Sequence, residues 1–282
     1  MTFEQIKEAK CAFTHAGKFH SDDVFSAALL QIINPEIKIE RGFQVPENYE
    51  GVVFDIGRGE FDHHQPDNEI RENEIPYASF GKLWRAIAPS VYGEKVYEMF
   101  DKSFIQPLDL SDNTGCHSDM ANMIAAFNPV WNEENPDVDA CFQEAVAFAK
   151  VILEKMLKKE LGKKEADDLV LEAYEKAEDK RIIVLDRFMP FKKPLEETEA
   201  IYAIYPSQRG GYNAQGIEYT ILEGEEERKE LKMPFPEEWR GLEDDELPQE
   251  GIRFCHNSGF LIAADTVEAA IAACNYSIEK QQ

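Results

Sequence analysis

The stretch "CAFTHAGKFHSDDVFSAALLQII" (residues 11–33) constrains the fold more than any other part of the chain. "CAFTHAG" (11–17) reads as a short buried strand that breaks into a glycine turn. "SDDVFSAALLQII" (21–33) reads as a helix, with Ser21 or Asp22 as N-cap, apolar residues at Val24, Ala27, Ala28 and Ile32, and Pro35 just past its end. Two further β-like runs follow, "IKIERG" (37–42) and "GVVFDIG" (51–57). Strand, helix, strand, strand in this order predicts an α/β domain whose mainly parallel sheet is flanked by helices. Such a sheet gathers loops and helix N-termini at the carboxyl ends of its strands, where α/β proteins bind ligands.

The pattern then turns helical from Ser79 to about Met120, with further helices expected over 118–127, 138–160 and 164–180. The last two, rich in Lys and Glu with leucine at helical spacing, read as a connector. Strand signals return at 181–186, 200–206, 217–222, 252–256 and 259–264, and a final helix is expected over 266–278. The expected organisation is a first domain over 1–150, a helical connector over 151–180 and a smaller α+β domain over 181–282.

Composition narrows the setting. No apolar run approaches the roughly 20 residues that span a bilayer, and "MTFEQIKEAK" lacks the apolar core of a secretory signal. The five cysteines are widely spaced with no C-x-x-C pair, so a reduced, cytoplasmic setting is expected. The formal net charge of −25 disfavours a grip on long nucleic acid, which draws on Lys and Arg. Bound divalent cations would supply the missing positive charge locally. Much of the acid lies in 222–239 and 241–250, expected to be solvated loops or helix faces.

Four clusters carry candidate chemistry. His15, His20, Asp22 and Asp23 flank the first strand–helix turn, where either aspartate would also serve as a helix cap. Asp55 ends the third strand. Asp62, His63 and His64 stand side by side in "EFDHHQ" (60–65). Asp109 and Asp112 lie one helical turn apart in "LDLSDNTG" (108–115). Imidazole mixed with carboxylate suits Mn²⁺, Fe²⁺, Co²⁺ or Zn²⁺. Seven candidates (His15, His20, Asp22, Asp55, His63, His64 and Asp112) exceed one tetrahedral site but match two metal ions sharing a carboxylate, the arrangement that activates water against phosphoesters. His63 then reads as a ligand with Asp62 orienting it, or Asp62 orients His64 for catalysis.

The Asp-His-His triplet, the preceding His/Asp cluster and the strand-end Asp resemble the DHH phosphoesterase superfamily. More closely, the chain resembles the Myg-one family (melanocyte proliferating gene one), nearly end to end, through "THAGKFHSDDVFSAALL", "DIGRGEFDHHQ", "SFGKLW", "LSDNTG", "FNPVWNE", "PEEWRGLEDDEL" and "HNSGF". The resemblance implies an N-terminal DHH domain, a smaller C-terminal substrate-binding domain and a two-metal centre between them, with Mn²⁺ as the expected ion and Co²⁺, Zn²⁺ or Mg²⁺ as alternatives. It implies His15, His20 and Asp55 on one ion, and Asp22, Asp55, His63 and Asp112 on the other, with His64 beside the reacting oxygen and Asp62 beside it. His20 stands where the superfamily commonly has an aspartate. The implied activity is a 3′→5′ exonuclease on RNA or short oligonucleotides. The alternatives are hydrolysis of pyrophosphate, a cyclic dinucleotide or a nucleoside bisphosphate, and a non-catalytic metal-binding regulatory role. "YPSQRGGYNAQG" (205–216) and "HNSGF" (256–260) are the expected substrate loops. Arg209 is a phosphate fork, Gly210 and Gly211 permit close approach, and His256 and Gly259 complete the set. A homodimer stays open as the assembly.

Overall fold

The computed structural model describes residues 1–223 and 226–281. The chain forms two compact units, Met1–Gly162 and Lys163–Gln282. It is a mixed α/β protein containing a parallel sheet.

The first unit opens with helix α1 (Phe3–Glu8), which the sequence reading did not anticipate. Thr2 caps it: Gln5 N–H donates to the Thr2 hydroxyl, and Thr2 N–H donates to the Gln5 side chain. Strand β1 (Cys11–His15) lies between β2 (Lys38–Gly42) and β3 (Val52–Val53), parallel to both. Helix α2 (Ser21–Ile33) makes the crossover, and its residues Ser21 to Leu30 are all buried. A helix covered on every side needs apolar or small residues all round, which "VFSAALL" supplies. Helices α3 (Ser79–Tyr92), α4 (Glu94–Phe100), α5 (Gln106–Thr114) and α6 (Asp119–Ala125) complete the layer, with a π-helical turn at Asp101–Ile105 between α4 and α5. Phe25 stacks on Phe80 at 5.4 Å and meets Phe104 edge-on at the same separation. Each such ring contributes about 2–3 kcal/mol by leaving water.

Helix α7 (Val138–Lys176) runs without interruption through Gly162, where two helices were expected. Gly162 costs about 1 kcal/mol in a helix interior. Strong helix formers flank it, and both halves of α7 bury apolar rows: Phe142, Val146, Ala149 and Leu153 in one core, Ala166 and Val170 in another.

The second unit holds a five-stranded sheet in the order β4-β5-β6-β10-β9. Its strands are β4 (Ile182–Val184), β5 (Tyr202–Pro206), β6 (Tyr212–Gly216), β9 (Ile252–Cys255) and β10 (Leu261–Ala264). Only β4 and β5 pair in parallel. Short helix α8 (Lys192–Leu195) precedes β5. Strands β7 (Glu218–Glu223) and β8 (Glu226–Leu231) form a separate hairpin. β8 falls inside the acidic run expected to be loop or helix. Its pairing with β7, where Tyr219 faces Glu230, overrides the low strand propensity of its charged residues. Helix α9 (Val267–Gln281) packs on one sheet face, where Ala270, Ala273 and Cys274 let it approach Tyr202, Ile204, Ala214 and Ile262. Among the described residues, no helix is long and apolar enough to cross a membrane.

Candidate metal centre

The site is built in the first unit, at the carboxyl ends of the parallel strands. β1 ends at His15, whose Nδ1 lies 3.1 Å from the Ala16 carbonyl oxygen. A carbonyl only accepts, so Nδ1 carries a hydrogen and Nε2 is the nitrogen that faces the carboxylates. That nitrogen lies 3.3 Å from Asp23 Oδ2 and 3.2 Å from Asp55 Oδ2. Arg41 fixes the turn beyond by donating to the His15 and Gly17 carbonyls and to Asp139. Asn128, in the "FNPVWNE" segment, clips both backbone groups of Phe19.

His20, rather than Ser21 or Asp22, is the N-cap of α2, and its backbone N–H donates to Asp23 Oδ1 at 2.8 Å. Asp22 and Asp23 are both buried in the first turn of α2. Capping accounts for one oxygen of Asp23. Among the described residues, its Oδ2 and both oxygens of Asp22 have no hydrogen-bond partner. Three buried carboxylate oxygens without donors would cost several kcal/mol in the absence of a positive charge.

Asp55 follows β3 with φ +55°, a left-handed conformation that few non-glycine residues adopt. Its N–H donates to the Phe61 carbonyl and the Ser79 hydroxyl donates to its Oδ1. With Oδ2 facing His15, its Oδ1 faces His63 Nε2 at 3.1 Å. The same His63 nitrogen lies 3.2 Å from Asp112 Oδ2 and 3.5 Å from Asp22 Oδ2. Asn113 orients the ring: its amide donates to the Asp109 carbonyl, leaving its oxygen 3.3 Å from His63 Nδ1.

Asp62 holds His64, not His63. Its Oδ1 lies 2.8 Å from His64 Nδ1 and accepts from the His64 N–H, while its Oδ2 accepts from the Arg58 N–H at 2.6 Å. The Asp62 carbonyl accepts from the buried Lys82 ammonium at 2.7 Å. His64 itself is exposed.

The ligand atoms fall into three groups that could each hold a metal ion: His15, Asp23 and Asp55; His20, Asp22 and Asp112; and Asp55, His63 and His64. The grouping departs from the one the resemblance implied: His20 sits with Asp22 and Asp112, and Asp23 takes the place beside His15 and Asp55. Asp109 is committed elsewhere. It accepts from Arg71 at 2.7 Å and from the Gly81 N–H at 3.1 Å, while Arg71 also grips Asp101 with two nitrogens.

The electrostatics follow from burial and like charge. Burial, then repulsion from Asp55 and Asp112, pushes the Asp22 carboxyl well above the usual carboxylate range. Burial lifts Asp23 to about 7 against the pull of His15. Burial would depress His15, but its hydrogen bond to Asp55 and the charges of Asp23 and Asp55 raise it to about 9. Burial lowers His20. Asp55 is buried yet held low by its hydrogen bonds to His15 and His63. Beside the cluster opens a cleft of about 720 Å³, lined by His20, His63, His64, Asp112, Cys116 and Asn122 among others.

Arg209, Gly210, Gly211, His256 and Gly259 all lie in the second unit. Arg209, Gly210 and Gly211 form the β5–β6 turn, closed by Ser207 N–H donating to the Gly211 carbonyl. Gly211 is required there, since its φ is +65° and a Cβ would stand 2.2 Å from the Ala264 carbonyl oxygen. His256 Nδ1 accepts from the Ser258 N–H. Gly259 lies beneath Arg240, whose Nε would meet a Cβ at 2.8 Å.

Against known proteins, the chain matches the family model MYG1_exonuc, described as an uncharacterised protein family (UPF0160), over residues 11–278. The chain belongs to the MYG1 family. A MYG1 protein of Chlamydia trachomatis is 27% identical over 298 residues, covering 95% of this chain and 96% of the relative. One from Schizosaccharomyces pombe is 26% identical over 323 residues, covering 95% and 97%. A human relative named MYG1 exonuclease is 24% identical, covering 95% and 85%. No solved structure gives a significant match.

Proposed function

We propose that this MYG1 family member is a phosphodiester hydrolase dependent on two divalent metal ions, an exonuclease that shortens RNA or short oligonucleotides from the 3′ end in the manner of the DHH phosphoesterases. The observation that carries this reading is Asp55: one of its oxygens faces His15 and the other His63, so a single carboxylate is shared between two ligand groups. The partnerless oxygens of Asp22 and Asp23 point to the same need for cations. Asp22, Asp23, Asp55 and Asp112 together carry a formal −4, which two divalent ions would cancel. His15, Asp23 and Asp55 would hold one ion, and His20, Asp22, His63 and Asp112, with the other oxygen of Asp55, the second. The mixed donor set suits Mn²⁺, Fe²⁺, Co²⁺ or Zn²⁺, and Mn²⁺ is the ion that the resemblance to the DHH phosphoesterases implies, with Co²⁺, Zn²⁺ and Mg²⁺ as alternatives. The ions would supply the charge that polarises phosphoryl oxygens and acidifies water.

The chain's own groups do the rest. His64 Nδ1 is engaged by Asp62, so Nε2 is the nitrogen that exchanges a proton with the oxygen entering or leaving phosphorus. Asn113 fixes the His63 ring, and the Lys82 ammonium fixes the backbone carbonyl of Asp62. The human and mouse relatives named exonucleases support a nucleic-acid substrate.

One observation favours a smaller substrate: among the described residues, the cleft lining has no Lys or Arg, and the chain's net charge is −25. Pyrophosphate, a cyclic dinucleotide or a nucleoside bisphosphate would be easier to admit than a long strand. The deciding experiment adds Mn²⁺ to metal-stripped protein with a 5′-labelled oligoribonucleotide. Stepwise 3′ shortening only with Mn²⁺ is the expected result. Cleavage of the small phosphates alone would move the substrate assignment, and metal binding without any hydrolysis would leave a regulatory protein.

A further inference from the structure

The five-stranded sheet of the second unit has one covered edge and one bare edge. At β9 the edge is covered: Gly241 N–H donates to the Cys255 carbonyl, Cys255 N–H donates to the Leu242 carbonyl, and Glu243 bridges to Phe254. The opposite edge is β4, whose one strand neighbour among the described residues is β5. Along a strand, successive residues turn their backbone groups to opposite sides. Leu185 N–H donates to the Ile204 carbonyl, so Ile183 and Leu185 face β5 while Ile182 and Val184 face outward. Ile182 N–H turns back to the Asp179 carbonyl. Among the described residues, the Val184 N–H and the carbonyls of Ile182 and Val184 have no partner.

A bare edge is a template for another strand, and monomeric proteins blunt it with proline, lysine or a bulge. β4 carries none of these. Its residues, Ile182, Ile183 and Val184, are all β-branched and pair with β5 in continuous register. Val184 is 43% exposed. Beside the strand lies a groove of about 420 Å³, lined by Ile182, Val184 and Met189 and by Leu169 and Ala173 of α7. Ile183 shares a core with Ala166 and Val170 of α7, whereas Ile182 joins the core on the opposite face. A groove lined by both α7 and Ile182 therefore follows the edge itself.

Charge decides what fits there. Lys180, just before the strand, donates to the Tyr174 and Glu175 carbonyls at 2.8 and 2.6 Å, and no carboxylate neutralises it among the described residues. Asp186, just after the strand, is exposed, with Arg187 at 3.7 Å. Arg181 is tied to Asp179. A strand with an uncompensated cation before it and an exposed anion after it is complementary to itself when antiparallel. A parallel copy would set like charge against like.

We propose that β4 is a dimerisation edge, and that its occupant is β4 of a second copy of this chain, antiparallel about a twofold axis at Ile183. Val184 N–H of each copy donates to the Ile182 carbonyl of the other, and the two five-stranded sheets join into one of ten strands. Lys180 of each copy comes alongside Asp186 of the other. The contact is isologous, so every favourable pair occurs twice. The two grooves meet at the axis, where the apolar lining of one is closed by the other.

The test is the solution mass of the full chain by analytical ultracentrifugation over a concentration series. The expected mass is twice the 32.2 kDa of one chain, falling to one chain on dilution. Val184→Pro removes the outward N–H and breaks no bond to β5, since proline is tolerated on a strand edge. It should leave a monomer whose far-UV circular dichroism matches the parent. Asp186→Lys sets ammonium against ammonium at two symmetry-related places and should raise the dimer Kd by about tenfold at low salt. That difference should shrink in about 0.5 M NaCl, where screening is short-ranged. A chain that is monomeric at every concentration overturns the proposal and leaves the edge to an extended segment of another protein. A dimer indifferent to both substitutions overturns it as well, because its contact then lies elsewhere. If Val184→Pro does not fold, Asp186→Lys decides alone, and an unchanged Kd at low salt refutes the pairing.

Discussion

Asp109 and Asp112 stand one turn apart on α5 and have opposite fates. Asp109 is buried and satisfied by Arg71 and the Gly81 N–H. Asp112 faces the His63 imidazole and the carboxylate of Asp22. A buried carboxylate with a guanidinium is a finished structural element. Carboxylates set against one another, with bare oxygens and imidazole nitrogens aimed among them, are complete only when a cation joins them. The two are coupled: the ion-paired aspartate anchors the helix that presents the other.

Three substitutions break this contrast, beginning with the largest effect. Asp55→Asn removes the carboxylate shared by two ligand groups, so hydrolysis should disappear and bound metal should fall below two ions per chain by elemental analysis. Two bound ions with full activity would sink the assignment. Asp109→Asn should leave Arg71 half-paired and cost about 3 kcal/mol of stability, with or without metal, in chemical denaturation. Gly81→Ala tests the same junction from the other side. A Cβ there would stand 1.9 Å from Asp109 Oδ2 and 2.7 Å from Arg71 Nη2, and such overpacking costs about 1–3 kcal/mol. Unchanged stability in both variants would show that the ion pair does not anchor α5.

The parts of this contrast were unequally legible in the sequence. The strand–turn–helix at 11–33 was readable because a buried strand and a buried helix leave apolar runs of different length. His15, His20, Asp22, Asp55, His63 and Asp112 were readable as clusters because local turns bring each group together. What joins the groups was not. Arg71 reaches Asp101 and Asp109 across 30 and 38 residues, and only the packed fold brings such positions into contact. Asp23 was read as a cap and does cap, through Oδ1, while Oδ2 turns into the site; one residue type served two roles. β8 was hidden because its pairing with β7 depends on register rather than propensity. The "SFGKLW" and "LSDNTG" segments marked Gly81 and Asn113 without disclosing what they touch.

Protons sharpen the contrast further. Without cations, Asp23, raised to about 7, and His15, raised to about 9, hold protons near neutrality, and burial shifts Asp22 in the same direction as Asp23. A metal ion must displace them. Apparent Mn²⁺ affinity should therefore rise as pH goes from about 7 to 9, and fall below 7 by about tenfold per pH unit for each proton released. Titration calorimetry in buffers of different ionisation enthalpy reads the proton count directly. Affinity independent of pH would mean the cluster is already ionised and the carboxylates find their balance elsewhere.

The smallest expected effect is the most discriminating. Asp22→Asn should abolish one ligand but leave the metal-free protein no less stable. Burial and the neighbouring Asp55 and Asp112 already push this carboxyl toward its neutral form, so a neutral amide of the same size keeps the metal-free charge state and removes the cost of ionising the group there. A change within about 1 kcal/mol, or a slightly higher melting temperature, is the expected outcome in chelator. With Mn²⁺ the order should reverse, because the parent gains binding free energy on its native state that the variant partly loses. Asp109→Asn shows no such reversal, because its partner is part of the chain. A variant at Asp22 that loses stability equally with and without metal would mean that this carboxylate is structural, and the distinction between it and Asp109 would be one of degree only.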